Sequence, residues 1–190
     1  MPNIAIISAS VRVGRISHRV ALYFKKYLES RQLATAEILD LMEYQFPLFP
    51  ERLQFQKEPL PSALAFSKKI SNADGVLIVT PEYNGGYPAS LKNAIDLLYR
   101  EWQRKPVGIS MVSNGVFGGT QVITSLLFSL WKIHANVIPA MFPCPQAQNV
   151  FEEDGTIKDK GLDERAAPFL KELFRAIEAD QRMKGWDMKM

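Results

Sequence analysis

Short apolar runs alternate along the chain with longer segments in which apolar residues recur every three or four positions. The first run, residues 4–7 (IAII), is continuously apolar, as expected of a strand that is buried on both faces. The segment 17–30 that follows carries Val20, Phe24 and Leu28 on one face of a helix. This alternation is typical of βαβ units and therefore predicts a parallel sheet with helices packed on it.

The same pattern continues to the end of the chain and predicts five strands in all. Further strands are expected near residues 36–41, 75–80, 107–112 and 136–139, and further helices near 62–72, 88–102, 119–134 and 163–179. Right-handed crossovers leave two common doubly wound orders for such strands, the Rossmann order and the flavodoxin-like order 2-1-3-4-5. We expect a single domain over residues 1–181, with 182–190 as a loose tail.

Residues 45–61 interrupt this alternation. They contain Pro47, Pro50, Pro59 and Pro61, and prolines at this density are incompatible with a regular helix or a central strand. We therefore expect a long surface loop between the second strand and the second helix.

Composition and charge exclude several classes of protein. The chain has 190 residues, of which 47% are hydrophobic and 23% charged, as in ordinary globular domains. Its 23 basic and 20 acidic residues give a net charge of +3 without long runs of like charge, so a nucleic-acid partner is not expected. No apolar run approaches the roughly 20 residues that a membrane helix needs. The single Cys144 argues against a structural zinc site and fits a reducing compartment, so we expect a cytoplasmic protein without a bound metal.

The first candidate site lies between the first predicted strand and the helix after it. Backbone N–H groups at a helix N-terminus attract anions, and this segment carries neither GxxxxGK[ST] nor GxGxxG. It offers instead the hydroxyl groups of Ser10 and Ser17 and the guanidinium groups of Arg12 and Arg15, which suit a terminal phosphate. The alternative is an ordinary polar turn in which Ser17 caps the helix.

The second candidate site follows the third predicted strand, in residues 81–88 (PEYNGGYP). Its two adjacent glycines allow the backbone to approach a flat ligand closely, and Tyr83 can cover an aromatic ring. The alternative is a glycine-rich turn whose tyrosine covers the core.

Residues 9–21 (ASVRVGRISHRVA) and 81–96 (PEYNGGYPASLKNAID) together resemble the NAD(P)H-dependent FMN reductase family. The resemblance implies a flavodoxin-like, doubly wound sheet of five parallel strands in the order 2-1-3-4-5 with helices on both faces. It implies FMN-binding residues in three loops: Ser10, Arg12, Arg15 and Ser17 at the phosphate, Pro81, Glu82, Tyr83, Asn84 and Gly85 at the ring, and Asn114, Gly115, Gly118 and Gly119 in a loop that closes over the flavin. Ala9 departs from the family's usual glycine, and Ser17 stands where many relatives have glycine.

The resemblance also implies an activity. The flavin N5 would accept hydride from NADPH or NADH and pass it to a small acceptor such as free flavin, a quinone, an azo compound or a metal oxyanion. No catalytic side chain is then required, because the cofactor carries the chemistry. We accordingly expect structural roles for His18 and His134 and no redox role for Cys144.

The resembling family commonly forms dimers, which predicts a homodimer or homotetramer through helices 88–102 and 119–134. These segments hold more apolar residues than one sheet-facing stripe needs, and we expect a second buried face formed by Tyr99, Trp102, Phe128 and Trp131. The alternative is that the proline-rich loop or the last helix covers these side chains.

Two other functions compete with a reductase. A flavodoxin-type electron carrier would bind FMN without oxidising a nicotinamide, but such carriers are typically strongly acidic, unlike this chain with its net charge of +3. A Rossmann dehydrogenase would use Asp40 to bind a ribose, but the missing GxGxxG and the unexplained PEYNGG segment argue against it.

Overall fold

The computed structural model describes residues 1–184 and contains a five-stranded sheet flanked by helices. The strands are β1 Asn3–Ser8, β2 Thr35–Asp40, β3 Gly75–Pro81, β4 Pro106–Val112 and β5 Asn136–Cys144. The helices are α1 Ser17–Ser30, α2 Leu41–Tyr44, α3 Pro61–Asn72, α4 Ala89–Leu97, α5 Val122–Lys132, α6 Ala147–Val150 and α7 Lys160–Met183. All strand pairs are parallel and the order is β2-β1-β3-β4-β5, which confirms the flavodoxin-like fold.

The sheet separates two hydrophobic cores. On one face, α1 and α7 bury an aromatic cluster that includes Phe24, Phe142 and Phe169. On the other face, α3, α4 and α5 pack around Phe66 and Trp102. Because helices cover both faces, the central strands consist mainly of apolar residues, and β3 is buried from Gly75 to Thr80.

The fifth strand is longer than predicted, since the expected strand ended at residue 139 whereas β5 runs to Cys144. Proline normally interrupts a strand because it cannot donate a ladder hydrogen bond. Here β5 is an edge strand that pairs with β4 alone. The register of this pairing shifts between Val107 and Ile109 of β4. An edge position tolerates Pro139 and Pro143, so the prolines do not end the strand.

The helix predicted over 88–102 ends early, at Leu97, and a separate 3₁₀ turn spans Arg100–Trp102. The side chain of Trp102 is fully buried, and its Nε1 donates to the carbonyl of Ile95 at 3.2 Å. Trp102 therefore belongs to the core of this chain, and the prediction that it contributes to a second, intersubunit face is wrong.

Of the proline-rich segment predicted as a loop over 45–61, residues 45–60 are irregular apart from a 3₁₀ turn at Leu53–Phe55, whereas Pro61 is the first residue of α3. The side chain of Asn93 on α4 fastens the loop: the Asn93 Oδ1 accepts the N–H of Phe49 at 3.0 Å, and its Nδ2 donates to the carbonyl of Pro47 at 2.9 Å. The loop is thus held against α4 near the carboxyl edge of the sheet.

The last helix extends four residues beyond the predicted end at 179, to Met183. The start of the predicted tail is therefore helical, and residues 185–190 lie outside the described part of the chain. Within residues 1–184, no helix is both long enough and apolar enough to cross a membrane.

Candidate active site

A cleft of about 270 Å³ lies beyond the carboxyl ends of β1, β3 and β4. This edge of a doubly wound sheet is where ligands bind in such folds. The β1–α1 loop (residues 9–16), the start of α1, the β3–α4 loop (residues 82–88) and the β4–α5 loop (residues 113–121) supply its walls. The lining residues are Ser10, Arg12, Val13, Gly14, Arg15, Ile16, Ser17, Pro81, Glu82, Tyr83, Val112, Ser113 and Asn114.

The alternative in which Ser17 caps α1 is wrong, because Ser17 is itself the first residue of the helix. Ile16 takes the N-cap position with helical dihedral angles (φ −78°, ψ −30°) and offers no capping side chain. Ser17 is only 2% exposed, and among residues 1–184 its Oγ is the one buried side-chain polar atom without a hydrogen-bond partner. A buried hydroxyl in this state costs about 1–3 kcal/mol, which a bound polar ligand can recover.

The two arginines of the β1–α1 loop have different surroundings. Arg12 is exposed, and its guanidinium lies 5.3 Å from the centre of the Tyr83 ring at the cleft. Arg15 is largely buried, and both of its terminal nitrogens bind the carboxylate of Asp40. Arg15 also donates to the carbonyl of Ser10 at 2.9 Å. Of these two arginines, Arg12 alone pairs with no carboxylate among residues 1–184, so its charge is available beside the cleft.

The β3–α4 loop begins with a tight turn that places Tyr83 over the cleft. Asn84 and Gly85 both have positive φ, 52° and 78°, and Tyr83 and Gly86 exchange backbone hydrogen bonds of 2.8 and 3.0 Å. An Asn-Gly pair with these angles forms a turn of type I′. The Tyr83 hydroxyl lies 2.7 Å from the Oγ of Ser10, so Tyr83 faces the cleft and does not cover the core.

The β4–α5 loop reaches the cleft with Asn114, and Ser113 before it also lines the wall. Gly118 and Gly119 instead pack against the ends of β4 and β5. A Cβ at Gly118 would lie 2.9 Å from the Cβ of Pro143, and one at Gly119 would lie 3.1 Å from the backbone nitrogen of Val112. Because neither residue has a Cβ, the loop can pack closely against the sheet at these two positions.

The structure thus brings most of the predicted residues together. Eight of them line one cleft: Ser10, Arg12, Arg15, Ser17, Pro81, Glu82, Tyr83 and Asn114. Five lie outside its lining: Asn84, Gly85, Gly115, Gly118 and Gly119. The prediction omitted Ser113, although its position directly after β4 is the signal that places it at the ligand-binding edge.

Asp40, the residue that a dehydrogenase would use for ribose, is 3% exposed and does not line the cleft. Its carboxylate faces Arg15 and lies 3.5 Å from the Nδ1 of His18, which in turn lies 3.0 Å from the Oγ of Ser8. Burial, assisted by the charge of Arg15, lowers the pKa of His18 below 6.5.

Cys144 is fully buried at the end of β5, and burial raises the pKa of its thiol to about 12. The thiol is therefore protonated at neutral pH and inaccessible, which excludes it from nucleophilic chemistry.

Comparison with known proteins places this fold and cleft in a family. Residues 2–149 match the family described as NADPH-dependent FMN reductase. An NAD(P)H-dependent FMN reductase of Saccharomyces cerevisiae is 36% identical over 149 residues, which cover 72% of this chain and 77% of the yeast protein. A quinone reductase of Pseudomonas putida is 31% identical over 183 residues, 89% of each chain.

Among solved structures, the flavoenzyme NAD(P)H:(acceptor) oxidoreductase of Paracoccus denitrificans superposes with a TM-score of 0.78 at 25% identity, covering 94% of this chain and 98% of the other. Sequence and structure agree, and the chain belongs to the NADPH-dependent FMN reductase family.

Proposed function

We propose that this chain binds FMN in the cleft and transfers hydride from NADPH or NADH to a small electron acceptor. Family membership gives the general class, an NAD(P)H-dependent flavin oxidoreductase. The observation that carries the assignment of the cleft is the buried, unpartnered hydroxyl of Ser17 at the start of α1.

The donors around Ser17 fit a phosphate dianion. The first N–H groups of α1 lie at the positive end of its dipole and precede its regular hydrogen bonds, although that of Arg19 already donates to the carbonyl of Ile16 at 3.0 Å. No acidic residue occupies the first turn of α1. With the Ser17 hydroxyl and the Arg12 guanidinium, the phosphate would receive both neutral and charged hydrogen bonds. Arg15 contributes less, because Asp40 neutralises it.

The β3–α4 side of the same cleft suits a flat ring. Pro81, Glu82 and Tyr83 form its wall, and the Asn84-Gly85 turn fixes the position of Tyr83. Bound FMN would supply the atom that accepts hydride from the nicotinamide and donates it to the acceptor. The chain's task is to hold the ring, leave one of its faces accessible and keep the phosphate fixed.

For the acceptor we propose a small oxidant. Relatives are named as FMN, quinone and azo reductases, which reduce flat molecules of different chemistry. Free flavin, a quinone, an azo compound or a metal oxyanion would each be reduced by the same bound flavin. Because the only cysteine is a buried thiol, the chain also suits the reducing cytoplasm that we propose as its location.

We further propose that the protein is a homodimer that uses one face of α5. Val122, Leu126 and Leu130 face the sheet and are fully buried, whereas Phe128 and Trp131 are both 63% exposed. Their rings are in contact, with centroids 5.7 Å apart, and Leu127 beside them is 44% exposed. A contiguous aromatic patch on a globular protein favours a partner subunit.

Light scattering across a concentration series tests the dimer. We expect a dimer for the natural chain and a monomer for Phe128→Glu combined with Trp131→Glu. The matched control, Lys132→Glu, changes charge on the same helix outside the aromatic patch. A natural chain that is monomeric at every concentration would refute the dimer.

The activity is tested by anaerobic titration of the FMN-loaded protein with NADPH and NADH, followed by flavin absorbance. Stoichiometric bleaching, and recovery of colour when a quinone is added, is the expected result. A protein that holds FMN but responds to neither nicotinamide would instead be an electron carrier of the flavodoxin type.

A further inference from the structure

Asp40, the last residue of β2, lies outside the cleft but connects three segments around it. Its carboxylate accepts hydrogen bonds from both terminal nitrogens of Arg15, which belongs to the β1–α1 loop. It also accepts the backbone N–H of Met42 at 3.0 Å, which caps α2, and lies 3.5 Å from the Nδ1 of His18 in the first turn of α1. At 3% exposure, this carboxylate is a buried junction.

Arg15 extends the junction back to the start of its own loop, because its guanidinium also donates to the carbonyl of Ser10. The middle of this loop has little other support. Gly14 has a positive φ of 68°, and nothing lies within 4 Å of the position where its Cβ would be. Within residues 1–184, the Arg15–Asp40 pair is the only salt bridge that links the loop to another element.

This pair also decides which arginine can receive a ligand. A guanidinium that binds a buried carboxylate through both terminal nitrogens would have to leave an unpaired charge behind in order to bind a ligand in the cleft with those nitrogens, and that exchange is costly. In the described part of the chain Arg12 has no such partner, and it lies against Tyr83 at the cleft. The two arginines of one short loop therefore have separate tasks.

We infer that Asp40 is a positioning residue for the FMN phosphate: through Arg15 it fixes the β1–α1 loop so that the Ser17 hydroxyl and the α1 N–H groups converge on the phosphate. The inference rests on the proposed function. A hydrogen-bonding site tolerates displacements of only a few tenths of an ångström. A loosened loop would therefore lose more phosphate-binding free energy than a freed Arg15 could restore by contacting the phosphate itself.

The test uses the full-length flavin-free chain and measures dissociation constants for FMN and for riboflavin, which lacks the phosphate, by quenching of flavin fluorescence. The ratio of the two constants reports the contribution of the phosphate alone. The variants are Asp40→Asn, Arg15→Lys and the double variant. Arg15→Lys keeps a positive charge beside Asp40, so the buried carboxylate is not left uncompensated. A single ammonium group cannot, however, reproduce the contacts of the guanidinium with both Asp40 oxygens and the Ser10 carbonyl, so the link that fixes the loop is lost.

We expect each single variant to lower the preference for FMN over riboflavin about tenfold, the scale of one charge-assisted hydrogen bond. The double variant should fall no further, because both changes break the same link. Arg12→Ala should also lower the preference, because it removes a guanidinium that would itself contact the phosphate.

Three other outcomes would overturn the positioning role. If Asp40→Asn raised the preference for FMN while Arg15→Lys preserved it, Arg15 would be a direct ligand that Asp40 restrains. If affinity for both flavins fell in parallel, Asp40 would only stabilise the fold. If the variants kept the natural affinities for both flavins, the junction would be irrelevant to binding. A natural chain without any preference for FMN would refute the proposed phosphate site itself.

Discussion

The two loops that flank the cleft are held in opposite ways. Charge and hydroxyl contacts hold the β1–α1 loop, through Arg15 on Asp40 and Ser10 on Tyr83, and space is open around its Gly14. Backbone packing holds the β4–α5 loop, where Gly118 presses against Pro143 at the end of β5. The first loop also ends at an unpartnered hydroxyl, Ser17, whereas the second has no ionisable side chain between residues 113 and 121.

The comparison shows that glycine has a different role in each of the two loops at the ligand-binding edge of the sheet. In the β1–α1 loop the polar side chains determine the site, and glycine only permits a turn. In the β4–α5 loop the glycines permit contact with the sheet, and the apolar side chains of Val116 and Phe117 are left 67% and 78% exposed. We therefore attribute ligand recognition mainly to the first loop and an anchoring role to the glycines of the second.

The largest effect, on the free energy of unfolding, should come from adding one methyl group to a glycine of the β4–α5 loop, compared with the same change in the β1–α1 loop. Gly118→Ala combines a positive φ of 63° with a Cβ only 2.9 Å from Pro143, so we expect a loss of about 2–4 kcal/mol in the free energy of unfolding. Gly14→Ala, its matched control, has a similar φ but open space and should cost only about 1 kcal/mol. Urea denaturation measures both, and equal losses would contradict the contrast between the loops.

The fold and most of the site were predictable because they depend on local pattern. Apolar runs such as residues 4–7 specify buried strands, and residues 82–85 directly follow β3, another strand that is buried over most of its length. The separate tasks of Arg12 and Arg15 were not predictable, since Asp40 lies 25 positions from Arg15 and only the β1–β2 pairing brings it there. The unsatisfied state of Ser17 likewise depends on where α1 starts, which a one-residue change in the cap alters.

The next largest effect, on FMN affinity, tests whether the β1–α1 loop recognises the ligand. Arg12→Ala should weaken FMN binding by about 1–3 kcal/mol, because a charge-assisted hydrogen bond to the phosphate is lost. Riboflavin binding should be unchanged. Titration calorimetry measures both affinities, and Arg175→Ala removes the same charge from the exposed face of α7 as a control. Equal weakening by the two variants would show that only net charge matters.

A smaller effect with two opposite signs is expected at Ser17. Ser17→Ala removes a buried hydroxyl that has no partner, so the flavin-free protein should be as stable as the natural chain or more so. FMN binding should weaken by about 1–2 kcal/mol, since the hydroxyl no longer reaches the phosphate. Thermal melting with and without FMN measures both. A variant that destabilises the flavin-free protein would mean that the hydroxyl already has a structural partner.

The smallest effect concerns pH and belongs to the first loop's charged surroundings alone, because the β4–α5 loop has nothing to titrate. The pKa of His18 is lowered below 6.5, mainly by burial, so the unfolded chain binds a proton before the folded chain does as the pH falls through 6.5. The free energy of unfolding should therefore decline with falling pH in that window, and His18→Asn should reduce the decline. Ser8→Ala removes the hydroxyl beside Nδ1 but keeps the imidazole, so it should retain the natural pH dependence. If His18→Asn left the pH dependence of urea unfolding unchanged, the histidine would not be held neutral beside the Arg15–Asp40 pair.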